Sequence, residues 1–151
     1  MYDAGKWLEE TGKNPNQWWQ TKNLNRQFLQ NYIEPDEFYV ALIDGKPATS
    51  VILQTNQRNQ DWSSVDKGNS PEALYIHWLS VKREFAGKNL PKVMVDFAKK
   101  KAQEKNIKLL RLDTDANEVK LMNLYKKLGF KLVGTTMEDS FKVAFFQKKL
   151  D

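Results

Sequence analysis

Residues 75–98 read YIHWLSVKREFAGKNLPKVMVDFA, and this stretch decides the fold. It opens as strand, crosses a polar turn containing one glycine, and continues with helical spacing. Leu90, Val93, Met94, Phe97 and Ala98 fall at i, i+3, i+4, i+7 and i+8, which predicts a helix over 90–105 with one buried stripe. A strand is predicted on either side, over 73–81 (ALYIHWLSV) and 107–113 (IKLLRLD). Strand, helix and strand in succession imply a parallel crossover. The turn FAGKNLPK at 85–92 has the outline of a loop that grips phosphate: a glycine, a lysine and a helix start with unpaired amides facing an anion. By itself it equally suits an ordinary turn, because proline commonly opens helices.

Outward from this centre, residues 4–12 read as a helix stopped at Gly12, and residues 21–33 as a second, with Leu24, Phe28 and Tyr32 at helical spacing and Pro35 beyond. Residues 37–43 and 46–53 read as strands joined through Asp44-Gly45, a strong hairpin signal. The polar stretch 55–70 is too long for a tight connection, and loops of that length are usually functional or mobile. Residues 119–128 read as a helix ended by a left-handed cap at Gly129, with closing strands at 130–136 and 141–149. The sum is an α+β fold: a mixed, mostly antiparallel twisted sheet with helices on both faces and one parallel strand-helix-strand core.

The chain has 151 residues, enough for one domain over 1–151 and too few for two ordinary ones. No cysteine is present, which removes disulfides, thiolate metal sites and cysteine nucleophiles. A single histidine removes multi-histidine metal sites, and no metal is expected. There is no 18-residue apolar run and no signal-peptide pattern, so a soluble cytoplasmic protein without membrane contact is expected. The net charge of +5 suits nucleic acid or an anionic cosubstrate. No nucleic-acid recognition motif accompanies it, and nucleic acid is not expected as a partner.

Three segments in order, YIHWLSVKREFAGKNLPKVMVDFA, LLRLDTDA and KLMNLYKKLGF, together resemble the GNAT superfamily of acyl-CoA-dependent N-acyltransferases. The resemblance covers about residues 38–133 and implies acetyl-CoA as cosubstrate. In that family the loop after a strand ending in valine runs Arg or Gln, two residues, Gly, any residue, then Gly or Ala, and its amides bind the CoA pyrophosphate. Here Val81 matches the strand end and Gly87 the first glycine. Ala86 stands where Arg or Gln is commonest, Asn89 replaces a glycine, and Pro91 replaces a Gly or Ala. Asn89 tolerates left-handed dihedrals. Pro91 removes one amide. The resemblance places Ala86, Gly87, Lys88, Asn89, Leu90 and Lys92 around the pyrophosphate, and backbone groups of Leu79, Ser80 and Val81 along the thioester and pantetheine arm.

Acyl transfer to an amine needs a proton acceptor for the amine and a proton donor for the departing thiolate. By resemblance Tyr125, ahead of KKLGF, is the general acid and a cofactor contact. Leu121, Leu124, Tyr125 and Leu128 also form one helical stripe, so a core role is the other reading. His77, on the face of Tyr75 and Leu79 by alternation, is a candidate base or a buried structural imidazole. Asp113 and Asp115 would draw or deprotonate a cationic amine, or cap the next helix. Asn117 matches weakly an asparagine that binds the pantetheine arm. Trp7, Trp18, Trp19, Phe38 and Tyr39 are read first as core and second as an acceptor pocket; Glu34, Asp36 and Glu37 are read as an exposed face.

The superfamily normally opens with a strand before its first helix, whereas AGKWLEE reads as already inside that helix. Without that strand, 37–43 is an exposed edge that invites pairing, and a homodimer is one arrangement that would cover it. The expectation is an N-acetyltransferase acting on a small-molecule primary amine by direct transfer. The alternative is a non-catalytic acyl-CoA-binding module on the same fold.

Overall fold

The computed structural model describes residues 1–13 and 15–151. Six strands form one sheet: β1 (Phe38–Ile43), β2 (Lys46–Gln54), β3 (Leu74–Val81), β4 (Leu109–Asp115), β5 (Lys131–Glu138) and β6 (Phe141–Lys149), in the order β1-β2-β3-β4-β6-β5. The pair β3–β4 is parallel, joined through a helix as predicted; β1–β2, β4–β6 and β5–β6 are antiparallel. The chain divides into two compact units. Met1–Ile52 with Trp78–Met94 make the first, and Leu53–His77 with Val95–Asp151 the second.

In the first unit, helix α1 spans Tyr2–Glu10. The single helix expected over 21–33 is broken into a 3-10 turn at Thr21–Asn23 and a short α2 at Arg26–Leu29. The cause is Asn25, whose Oδ1 accepts the Phe28 amide at 3.0 Å and restarts the helix. Asparagine side chains compete with the helix backbone in this way and favour caps. The β1–β2 hairpin turns through Asp44 (φ 51°) and Gly45 (φ 75°), the two left-handed residues that its short connection requires. Strand β1 is the outermost of the order on this side, with Phe38, Val40 and Leu42 exposed. Trp18 packs against Phe28, Tyr32 and Trp78, so the core reading of this aromatic holds. Glu34 and Glu37 form a capping box around a 3-10 turn at Pro35–Glu37, a local structural role for both side chains.

In the second unit, helix α5 (Val119–Lys127) ends at Gly129 (φ 88°), the left-handed cap expected there. Lys148 Nζ donates to the Leu128 carbonyl at 2.8 Å and completes the cap. The stretch 55–70 contains a four-residue helix, α3 (Ser63–Asp66), started where Asp61 Oδ1 accepts the Ser63 amide at 2.8 Å. Trp62 is fully buried against Ala73, Tyr75, Val143 and Phe145. Burying one large aromatic removes some 150–250 Å² from water, enough to seat the whole segment on the sheet.

Helix α4 (Leu90–Glu104) buries Leu90, Met94, Val95, Ala98 and Ala102. Val93, predicted in that stripe, is 50% exposed. The buried face is rotated toward Val95, at i+4 from which Lys99 is only half-buried. No helix among the described residues is long and apolar enough to cross a membrane.

Candidate active site

The first unit carries the loop candidates. Lys82–Phe85 turn through a 3-10 helix at Arg83–Phe85 whose Phe85 side chain is buried with Ala48 and Leu90, fixing the loop's base. Ala86, Gly87, Lys88 and Asn89 are exposed, and α4 begins at Leu90. Gly87 has φ 82° and Asn89 φ 57°, so both take left-handed backbone. An added Cβ at Gly87 would meet nothing within 4 Å, so its glycine serves the turn and leaves an open approach. Among the described residues, the amides of Gly87, Lys88 and Asn89 donate to no backbone carbonyl. Lys88 Nζ lies 5.7 Å from the Phe85 ring centre, which keeps its charge over the loop. Pro91 falls in the first turn of α4 and supplies no amide there. The loop therefore fits an anionic cosubstrate through free amides, left-handed corners and a helix start.

The end of β3 is shaped by β2. Ser80 Oγ meets Ser50 Oγ at 2.8 Å, the Ser80 carbonyl accepts Thr49 Oγ1 at 2.7 Å, and the Lys82 amide donates to Ala48 at 2.8 Å. Backbone polar groups in a strand alternate in direction. With Ser80 and Lys82 turned to β2, the N–H and C=O of Leu79 and Val81 turn away from it. Ser80 is thus already engaged with Thr49 and Ser50. Trp78 interrupts the strand with φ 45°, a strained position for a bulky residue. Its ring is held by Trp18 and its Nε1 donates to the Trp18 carbonyl at 2.9 Å. The alternation that would put Leu79 on the face of His77 is interrupted at this residue.

The second unit holds His77, Asp113, Asp115 and Tyr125. The parallel pairing of β3 with β4 runs Leu74↔Leu110, Tyr75↔Arg111 and Ile76↔Leu112, one residue short of His77. His77 is stacked at 9° on Tyr75, with centroids 6.5 Å apart. Its Nδ1 lies 3.8 Å from Asp113 Oδ1, a contact too long for a hydrogen bond. Burial first, and the Glu138 charge second, push the Asp113 carboxyl up to about 7. Such a carboxylate takes a proton near neutrality, as a general base must. Tyr125 is buried, with Phe130 and Phe146 at 6.2 and 5.9 Å. Burial, then the Asp113 charge, raise its phenol well above the ordinary tyrosine range, so it holds its proton. The ring packs as the core reading has it, while the phenol senses the Asp113 charge. Asp115 Oδ1 accepts the Asn117 amide at 2.8 Å and shapes the turn into α5; Asn117 itself is exposed.

Three features were not read from the sequence. Arg111, 2% exposed, grips Asp66 at 2.7 and 3.1 Å and covers the Trp62 ring at 4.4 Å. Gln57 bridges Asp66 and Ser70 at 3.2 and 2.6 Å, so the long polar segment is tied down. Gln60 donates to Glu138 across 78 residues of chain. An arginine inside the apolar run LLRLD was the available signal, since a buried guanidinium demands a carboxylate. Among the front aromatics, Phe38 lines a cavity of about 240 Å³ with Met1, Val40, Thr49 and Lys82, and Trp7 carries Arg83 over its ring at 4.4 Å. No group of three or more metal-ligating side chains occurs among the described residues.

Known proteins resemble this chain in sequence and fold. An uncharacterized N-acetyltransferase, YesJ, of Bacillus subtilis (strain 168) is 25% identical over 148 residues, covering 97% of this chain and 79% of the relative. An acetyltransferase of the GNAT family from Listeria monocytogenes 4b F2365 superposes with a TM-score of 0.73 at 25% identity, covering 98% of this chain and 84% of that one. A provisionally assigned streptothricin acetyltransferase from Bacillus anthracis str. Ames, in complex with acetyl coenzyme A, gives a TM-score of 0.63 at 21% identity over 81% of this chain and 68% of that one, a likeness of fold alone. The model of the Acetyltransferase (GNAT) family matches residues 5–130, and the chain belongs to that family.

Proposed function

We propose that the protein moves an acetyl group from acetyl-CoA to the primary amine of a small molecule, directly and within a ternary complex. The observation that carries this is the Asp113 carboxyl, with a pKa of about 7 and 3.8 Å from the His77 imidazole. Acetyl-CoA supplies an activated acyl group; the chain's residues supply position and proton traffic. The amides at 87–90 and the charges of Lys88 and Lys92 bind the pyrophosphate. The outward backbone groups of Leu79 and Val81 align the thioester. Asp113 takes one proton from the amine, directly or through His77 or water. As the new C–N bond forms and the C–S bond breaks, Tyr125 returns one proton to the sulfur.

Membership in the family supports this reading, as does the raised phenol pKa, which keeps the acid loaded. Pro91 favours the second reading, a CoA-binding module without turnover, because it subtracts one amide from the cradle. Calorimetric titration with acetyl-CoA, followed by thiol release across a panel of primary amines, separates the two. Binding with turnover establishes the enzyme. Binding with no thiol release on any amine establishes the module, and absence of acetyl-CoA binding defeats both.

A further inference from the structure

We propose that Glu138, held in place by Gln60, reads a second positive charge on the acceptor, so that the preferred acceptor is a diamine or longer polyamine. This rests on the acetyl-transfer reading and adds the acceptor's chemistry to it.

In a sheet, residues two apart on one strand and residues directly paired across strands share a face. The pairs Tyr75↔Arg111, Asp113↔Phe145, Asp115↔Val143, Val143↔Thr136 and Phe141↔Glu138 therefore lie on one face of the second unit. Trp62 covers its Tyr75 and Phe145 portion. From Asp113 toward the end of β4, the paired residues on that face include three carboxylates, Asp113, Asp115 and Glu138, and no cation. Arg111, at the covered end, is already matched by Asp66. In a chain of net charge +5 this is a local reversal of sign.

The three carboxylates are not equivalent. Asp115 accepts the Asn117 amide and serves the turn. Asp113 Oδ1 is shielded from solvent and accepts no hydrogen bond among the described residues. A buried acceptor without a donor is uncommon in folded proteins and awaits one from a ligand or water. Glu138 receives one hydrogen bond on Oε1, from the neutral amide of Gln60. That contact fixes the carboxylate without cancelling its charge. The segment 54–70 thus treats Asp66 and Glu138 differently: its own Asp66 is neutralised by a guanidinium, and Glu138 is only oriented. Gln60 can do this because its segment is anchored at both sides, by the Asn59–Gln54 bond at 2.7 Å and by the Asp66–Arg111 pair. Asp113 then faces the reacting amine, and Glu138 the far one. Both carboxylates lie on the one face that runs through Phe145, Val143 and Phe141 of β6, so an extended ligand along that face would meet both.

The test compares α,ω-diamines of about four to eight carbons with n-alkyl monoamines of equal length, using acetyl-CoA and thiol release, in the wild type and in Glu138→Gln. The wild type is expected to favour the best diamine in kcat/KM by about tenfold, and Glu138→Gln to bring that ratio close to one. Gln60→Ala is expected to give an intermediate ratio, and thermal melts verify that both variants fold. A wild-type ratio near one, or a ratio unchanged in Glu138→Gln, overturns the proposal. Should no amine be turned over, calorimetric titration with the diamines alone decides. Diamine binding that is lost in Glu138→Gln upholds the charge reading while the acetyl-transfer reading falls. Absent or unaltered diamine binding overturns the proposal even where acetyl-CoA binds.

Discussion

Arg111 holds both carboxylate oxygens of Asp66, at 2.7 and 3.1 Å, with both side chains almost wholly buried. Asp66 is held below the usual carboxylate range: burial opposes the charge, but the Arg111 hydrogen bonds, Arg111 charge, Gln57 and Ser70 outweigh it. Removing one partner of such a pair strands the other as a buried charge, which costs about 3–5 kcal/mol. Arg111→Met is therefore expected to destabilise strongly in urea denaturation. The double change Arg111→Met with Asp66→Leu is expected to recover most of the loss, because an apolar pair of similar size is often as stable as the ion pair. If the double variant is no more stable than the single one, the loss lies in packing on Trp62 instead.

Asp113 links stability to pH with a definite sign. Its carboxyl titrates at about 7 in the folded chain against 3.8 as the reference, so between these values the folded state binds more proton. The stability it contributes is full below about pH 4 and declines as pH rises through about 7. Each pH unit across that window is worth up to about 1.4 kcal/mol. Asp113→Asn removes the dependence, so its melting temperature is expected to gain on the wild type progressively from pH 4 to 7 and to hold the gain above. If the same group is the base, kcat/KM is expected to rise with pH through about 7 in the wild type. A flat profile would remove Asp113 from the proton path.

Tyr125→Phe keeps the ring that packs on Phe130 and Phe146 and deletes the hydroxyl. Turnover is expected to fall by about 10²–10⁴, the usual contribution of a general acid, with little change in acetyl-CoA affinity. An unchanged kcat would reduce Tyr125 to a core residue.

Pro91→Ala restores an amide in the first turn of α4. Acetyl-CoA is expected to bind up to about tenfold more tightly, since a hydrogen bond to a charged group contributes about 1.5–3 kcal/mol before losses. Calorimetry on the folded variant measures it, and equal affinity would mean that the cradle never addressed that position.

Gly129→Ala places a side chain at φ 88° with its Cβ 3.2 Å from Lys148 Nζ. A loss of about 1–2 kcal/mol is expected from the left-handed backbone alone. Lys148→Met leaves the backbone relaxed and removes only the bond to Leu128, so it is expected to cost less.

The order of strands and helices was legible because most signals were local: periodicity in 90–105, Asp44-Gly45 at the hairpin, Gly129 at the helix end. Where a local signal competed, the reading failed, as at Asn25, whose cap splits a helix that Leu24 and Phe28 suggested whole. Val93 was misplaced because five apolar positions fit two neighbouring stripes, and Val95 filled the other. The carboxylates on this face of the sheet were half legible. Asp113 belongs to a recognisable run, but Glu138 joins it only through a fold that brings residue 60 to residue 138. No spacing rule encodes such a meeting.

Trp78 combines two demands that pull apart. Its backbone, at φ 45°, is one that glycine would occupy with ease, while its indole fills a pocket of Trp18, Leu24 and Ile52 and donates a hydrogen bond there. Every single substitution satisfies one demand by giving up the other. The bend in β3 is therefore locked by composition: it can be loosened or emptied in the laboratory, but one change at this position cannot make it both relaxed and full.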